Sequence, residues 1–170
     1  MKSRIATAIG AAALVVISGA AVADTKTSTF NVTANVNKNC LVSSGDIAFG
    51  TYVPTTGALT GSSTVAVRCT AGTGFTVALS AGQEASYSPR KLKDASNNKL
   101  EYNLFTTNAY TTVWGDGTAS TATQAGTGAG MGLPQAQNLT VYAQLPDNAA
   151  NQLAPPSVSY ADNITVTVTY

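Results

Sequence analysis

Histidine is absent from the 170 residues, only two cysteines occur, and charged side chains make up 10% of the chain. Each shortage excludes a class of function. Without histidine, the commonest general acid and base, no Ser-His-Asp or Cys-His catalytic arrangement can form. Two cysteines leave a tetrahedral zinc site two ligands short unless carboxylates fill it, and no Cys-x-x-Cys redox pair occurs. The acids Asp24, Asp46, Glu84, Asp94, Glu101, Asp116, Asp147 and Asp162 sit mostly in turns or beside strand starts, where Asp bonds the local backbone. Nothing in their spacing groups two of them as a carboxylate-pair glycosidase requires. The expectation is a protein that is not an enzyme and carries no cofactor and no metal. Nine basic against eight acidic residues offer no electrostatic pull toward nucleic acid or anionic lipid. The glycines Gly126, Gly128, Gly130 and Gly132 match neither the dinucleotide fingerprint nor the P-loop, and they read as a loop.

Long apolar runs are missing too, except at the start. Lys2 and Arg4 precede an apolar stretch from Ile5 to Ile17, and Ala21-Val22-Ala23 follows, which is the three-part layout of a secretory signal peptide over residues 1–23. The stretch is shorter than the roughly 20 residues that cross a bilayer. Cleavage leaves Asp24 to Tyr170, enough for one domain with a core, and loss of Lys2 and Arg4 turns the net charge of +1 to about −1. No later run has spanning length, so no membrane insertion is expected after cleavage. In the oxidising compartment that export implies, two thiols in one small domain pair, and Cys40–Cys69 is expected to be a structural disulfide rather than a metal or redox site. Closing that loop stabilises the fold by roughly 3 to 4 kcal/mol in the chain-entropy account.

What the chain has in quantity is Thr, Ser, Ala, Asn, Gly and Val, a composition that favours strands over helices. Phe30, Val32, Ala34 and Val36 alternate with Asn31, Thr33 and Asn35, which is one apolar face of an extended segment. Asn37-Lys38-Asn39 breaks the run, and Ile47 to Phe49 is a short apolar piece before Gly50. Thr64 to Thr70 and Phe75 to Leu79, either side of Ala71-Gly72-Thr73-Gly74, look like a hairpin. Tyr87 to Leu92 is a weaker strand, and Asp94 to Asn98 is a turn. Leu100, Tyr102 and Leu104 alternate again, and Tyr110 to Trp114 pairs locally before Gly115-Asp116-Gly117. Thr118 to Gly132 reads as a long mobile loop of low complexity. Leu139, Val141, Ala143 and Leu145 form a strand that Pro146 stops, and Pro155-Pro156 mark the next connection. Ile164, Val166, Val168 and Tyr170, alternating with threonines, make the cleanest strand. Seven or eight strands and no amphipathic helix predict an antiparallel β-sandwich, with a barrel as runner-up. Arg90, Lys91 and Lys93 read as a solvated edge, and Trp114 and the tyrosines as core or corner residues.

The order of these features resembles the spore coat protein U domain family, to which the subunits of archaic chaperone-usher pili belong. The resemblance spans nearly the whole exported chain. It is carried by the alternating run before Cys40, by Phe75-Thr76-Val77-Ala78-Leu79-Ser80-Ala81-Gly82, by Leu100-Glu101-Tyr102-Asn103-Leu104-Phe105 and by Thr112-Val113-Trp114-Gly115-Asp116-Gly117. Thr140-Val141-Tyr142 with Pro146, and the stretch from Tyr160 to Tyr170, complete it. The resemblance implies an immunoglobulin-like sandwich that lacks its last strand and is completed by the N-terminal segment of the next subunit, that is, by donor-strand exchange. On that reading residues 24–38 are the donor segment with Phe30, Val32, Ala34 and Val36 as its comb. Residues 39–170 are the sandwich, and Ile164, Val166, Val168 and Tyr170 form the groove edge, with no residue after Tyr170 to supply a further strand. The implied partners are identical or homologous pilus subunits, a periplasmic chaperone and an outer-membrane usher. The implied place is the cell surface, in adhesion and biofilm formation. A secreted spore-coat protein shares the fold, and a carbohydrate-binding or adhesin domain is a rival of another class. Pattern alone also permits the comb to fold back on its own domain, with Asn37-Lys38-Asn39 as the turn.

Overall fold

In the computed structural model, residues 22–157 and 159–170 are described, so the signal-peptide assignment falls largely outside them. The chain divides into Met1–Asn35 and a compact unit Val36–Tyr170. The described residues up to Asn35 carry no strand or helix and are exposed. No helix among the described residues is long and apolar enough to cross a membrane.

The unit Val36–Tyr170 is an antiparallel β-sandwich. Its strands are β1 (Cys40–Ser44), β2 (Leu59–Cys69), β3 (Gly74–Leu79), β4 (Arg90–Lys93), β5 (Lys99–Phe105), β6 (Gln124–Thr127), β7 (Gln137–Leu145) and β8 (Val166–Thr169). One sheet has the order β1-β2-β7-β5-β4 and the other β6-β3-β8. Alternation decides which side chains enter the core. From the larger sheet come Val65, Val67 and Cys69, then Leu100, Tyr102 and Leu104, then Val141, Ala143 and Leu145; from the smaller come Phe75, Val77 and Leu79. Trp114 is buried among them, and its indole Nε1–H donates to Val77 O (3.0 Å). The Cys40–Cys69 disulfide joins the first residue of β1 to the last of β2.

Several expectations are corrected. β2 and β3 are not a hairpin but lie in opposite sheets. Their apolar faces meet across the core, and the turn between them, with Gly72 at φ 78° and Thr73 N–H on Thr70 O (3.0 Å), carries the chain over. The stretch from Thr118 to Gly132 is not a structureless loop, because β6 lies in it and pairs with β3 from Gly74↔Thr127 to Val77↔Gln124. Its glycines are what let it lie there. A Cβ at Gly126 would stand 2.5 Å from Phe75 Cζ, and one at Gly128 would stand 2.7 Å from Cys69 Cβ. The turn at Asn37-Lys38-Asn39 belongs to the fold-back alternative rather than to the expected arrangement, and it is not formed: Asn39 O accepts from Thr70 N–H (2.9 Å) and prolongs the line of β1. The segment Phe30–Val36 has no ladder partner. Arg90 is not a solvated edge residue at all but is fully buried. A short α-helix, α1 (Ala149–Gln152), appears where no helix is predicted, capped by the Asn148 side chain on Asn151 N–H (2.9 Å).

Candidate functional site

The sandwich is open along one side. A cleft of about 1040 Å³ runs into the core, and its floor is made by Val65, Leu79, Leu100, Leu104, Val141 and Leu145. One wall is the segment Ser44–Tyr52, and the other is Asp162–Ile164 with Val166.

The second wall is built on β8. It pairs with β3 alone, from Thr76↔Thr169 to Leu79↔Val166, and its inward side chains Val166 and Val168 are only half-buried. Ser80 N–H donates to Thr165 O (2.9 Å), and Thr165 N–H donates to Ser80 Oγ (2.9 Å). In an antiparallel pair the hydrogen-bonded positions alternate, so Thr165, Thr167 and Thr169 direct their peptide groups to β3. Ile164, Val166 and Val168 therefore direct theirs to the open side. The same residues thus present apolar side chains to the cleft or core and unpaired N–H and C=O groups to a free edge.

The first wall continues from β1 without a ladder. Ile47 and Phe49 point inward and are half-buried. Gly61 of β2 makes room for Ile47, whose Cγ2 would lie 3.0 Å from a Cβ there. Phe49 meets the Tyr102 ring edge-on at 6.1 Å. The far end of this wall is clipped to Asp147: its Oδ1 accepts from Tyr52 Oη (2.6 Å), Thr55 N–H (3.2 Å) and Gln152 Nε2 (3.2 Å), and its Oδ2 accepts from Gly57 N–H (2.9 Å). The Tyr52 hydrogen bond, aided by the Gly57, Gln152 and Thr55 donors, lowers the Asp147 carboxyl to about 2. Burial and the same carboxylate push the Tyr52 phenol up to about 12.

Polar groups brace the base of the β8 wall. Tyr102 Oη donates to Asp162 Oδ2 (2.6 Å), while Asp162 Oδ1 accepts from Gln83 N–H (2.8 Å) and Asn163 N–H (2.8 Å). Burial, then this carboxylate, holds the Tyr102 phenol far above its ordinary value. Arg90 donates through Nε and Nη2 to Ser80 O (3.0 and 2.8 Å), through Nη2 to Trp114 O (2.7 Å) and through Nη1 to Asn103 Oδ1 (2.7 Å). The Tyr87 ring lies 5.0 Å from its guanidinium carbon. Burial lowers the Arg90 pKa, yet guanidinium is so basic that it stays charged.

Of the residues expected at the groove edge, Ile164 and Val166 line the cleft. Val168 packs half-buried on the core, and Tyr170 is 53% exposed; neither lines the cleft. In the comb, Phe30, Val32 and Val36 are 86, 83 and 84% exposed, and Ala34 is exposed as well. Sequence reasoning missed Ile47 and Phe49 as a wall, the Asp147 clip and the Arg90 brace. Arg90 left one signal, since it shares the inward parity of Leu92.

Fold and cleft define a disulfide-stapled β-sandwich with one open side. The chain belongs to the Spore Coat Protein U domain family, whose profile matches residues 26–167. It is also similar to a chain in the crystal structure of the CsuC–CsuE chaperone–tip adhesion subunit pre-assembly complex from archaic chaperone-usher Csu pili of Acinetobacter baumannii. The two are 22% identical with a TM-score of 0.55, over 79% of this chain and 40% of that one. The likeness is one of fold, and the chain spans well under half the length of that relative. Among curated proteins, none matches the sequence.

Proposed function

We propose that the protein is a structural subunit of a chaperone-usher pilus that polymerises by donor-strand complementation: the comb Phe30, Val32, Ala34 and Val36 of one subunit fills the cleft of the next. The observation that carries this reading is the match between two unfinished halves. The cleft has room for one strand beside the start of β8, where the unpaired edge offers backbone groups at Ile164 and Val166. The comb has period two, exposed apolar side chains and no ladder of its own. Burying its four side chains contributes on the order of 5 to 8 kcal/mol, and each ladder hydrogen bond adds about 1 kcal/mol. A head-to-tail contact of this kind does not close, so it grows into a filament.

An open apolar cleft and a free edge are aggregation hazards, so the subunit needs cover before assembly. A periplasmic chaperone supplies it, a role supported by the chaperone–subunit complex in which the similar fold was solved, and an outer-membrane usher then exchanges chaperone for comb. The fibre serves adhesion and biofilm formation at the cell surface. Deleting Thr25–Val36 is the test: filaments in electron micrographs and polymers in gel filtration are expected to vanish while the truncated chain still binds a peptide of that sequence. Polymerisation that survives the deletion refutes the reading.

A further inference from the structure

The start of β1 is held at two successive points. Cys40 is bonded to Cys69, and the next residue along, Thr70, grips the chain just before it. Thr70 N–H donates to Asn39 O (2.9 Å), and its hydroxyl accepts from Asn39 N–H (3.0 Å). The hydroxyl lies 3.3 Å from the carbonyl oxygens of Asn37 and Asn39, and its proton serves one of them. In an extended chain, groups two residues apart point the same way. Asn37 and Asn39 thus both face the β2 side, away from the free edge of β1. Val36, the last tooth of the comb, is the very next residue.

For the comb to enter the groove of its own molecule, the chain must reverse within Asn37-Lys38-Asn39, because β1 begins at Cys40 and continues directly into the groove wall. Such a reversal takes Asn37 and Asn39 off Thr70. Without an obstacle, self-insertion would win, since a short tether gives the comb a local concentration near the millimolar range. We propose that Thr70, with the disulfide behind it, is that obstacle: it holds residues 37–39 straight, bars closure within one chain, and so delivers the comb to a second copy. The inference rests on the exchange reading above and makes Thr70 a positioning residue that decides between closed monomer and open polymer.

The test uses the chain from Asp24 to Tyr170 with its disulfide intact. Gly-Ser-Gly-Ser is inserted between Lys38 and Asn39 and combined with Thr70→Val, and size is read by gel filtration with light scattering. The loosened variant is expected to run as a monomer and to bind added Thr25–Val36 peptide at least about ten-fold more weakly than a body lacking residues 24–36. Thr70→Ser, which keeps the hydroxyl, is expected to polymerise like the parent. A loosened variant that polymerises as the parent does overturns the proposal. A second measurement needs no variant. In the parent chain, diluted until no polymer remains, the amides of residues 30–36 are expected to exchange freely with solvent, and protection there overturns the proposal. If deleting Thr25–Val36 abolishes polymers while loosening the root changes nothing, only this inference falls; if the deletion changes nothing, the exchange reading falls first.

Discussion

β3 and β8 lie side by side in one sheet and share an alternation of apolar and small residues, yet they end in opposite states. The inward side chains of β3, Phe75, Val77 and Leu79, are 4, 0 and 2% exposed, while Val166 and Val168 of β8 are only half-buried. Chemistry does not separate them. Neighbours do: β3 has β8 on one side and, on the other, β6 with Trp114–Gly115, which takes up Leu79 N–H (3.1 Å). β8 has β3 and, on its other side, no ladder partner among the described residues: the cleft opens at Val166, and β1 comes near without pairing. Period two specifies a face but not the number of partners, and the shortfall in burial marks where the sandwich is open.

The largest expected effect removes what holds the two strands together at one end. Ser80 bonds Thr165 through its N–H and hydroxyl, while its carbonyl receives two donors from buried Arg90. Arg90→Met leaves Ser80 O and Trp114 O without those donors, and a lost charged hydrogen-bond set of this kind costs about 4 kcal/mol. Urea unfolding of the oxidised chain checks it, and a loss under about 1 kcal/mol would mean that water replaces the guanidinium.

A direct trial of the comparison comes next. Leu79→Ala is expected to cost about 3 kcal/mol in the isolated subunit, against about 1 kcal/mol for Val166→Ala, because only the first empties a filled site. With Thr25–Val36 peptide bound, the cost of Val166→Ala is expected to rise by more than that of Leu79→Ala, whose side chain is already buried before the peptide arrives. Equal costs without peptide would erase the distinction between the strands.

What was legible in advance follows the same division. β2, β3, β5, β7 and β8 announce themselves by alternation, because each buries one face; their partners do not, so β2 and β3 look like a hairpin in the sequence although they lie in opposite sheets. β6 was hidden because the feature that makes it look like a loop, its glycines, is what lets it press on Phe75 and Cys69. For the cleft, the β8 alternation could be read directly. The opposite wall could not, since Ile47 and Phe49 make no ladder and the Tyr52–Asp147 contact joins residues 95 apart. Arg90 was misread because charge outweighed parity: it occupies an inward position of β4 and is tolerated there only because backbone carbonyls and Asn103 satisfy it.

The smallest expected effect concerns that opposite wall, where the Asp147 clip anchors a segment that β-pairing does not. Its carboxyl is depressed from the ordinary 3.8 to about 2, so the stability it adds is fully present above about pH 4 and is lost as pH falls through about 2. The Tyr52 phenol is raised from 10.0 to about 12, so its contribution is fully present below about pH 10 and fades as pH rises through about 12. One hydrogen bond thus gives two arms with opposite signs. Asp147→Asn is expected to lower the thermal midpoint by a small constant amount from pH 5 to 8 and to converge with the parent near pH 2. Tyr52→Phe is expected to flatten the alkaline arm in the same way. A gap between parent and Asp147→Asn that persists unchanged at pH 2 would mean that Asp147 holds the wall by shape rather than by charge.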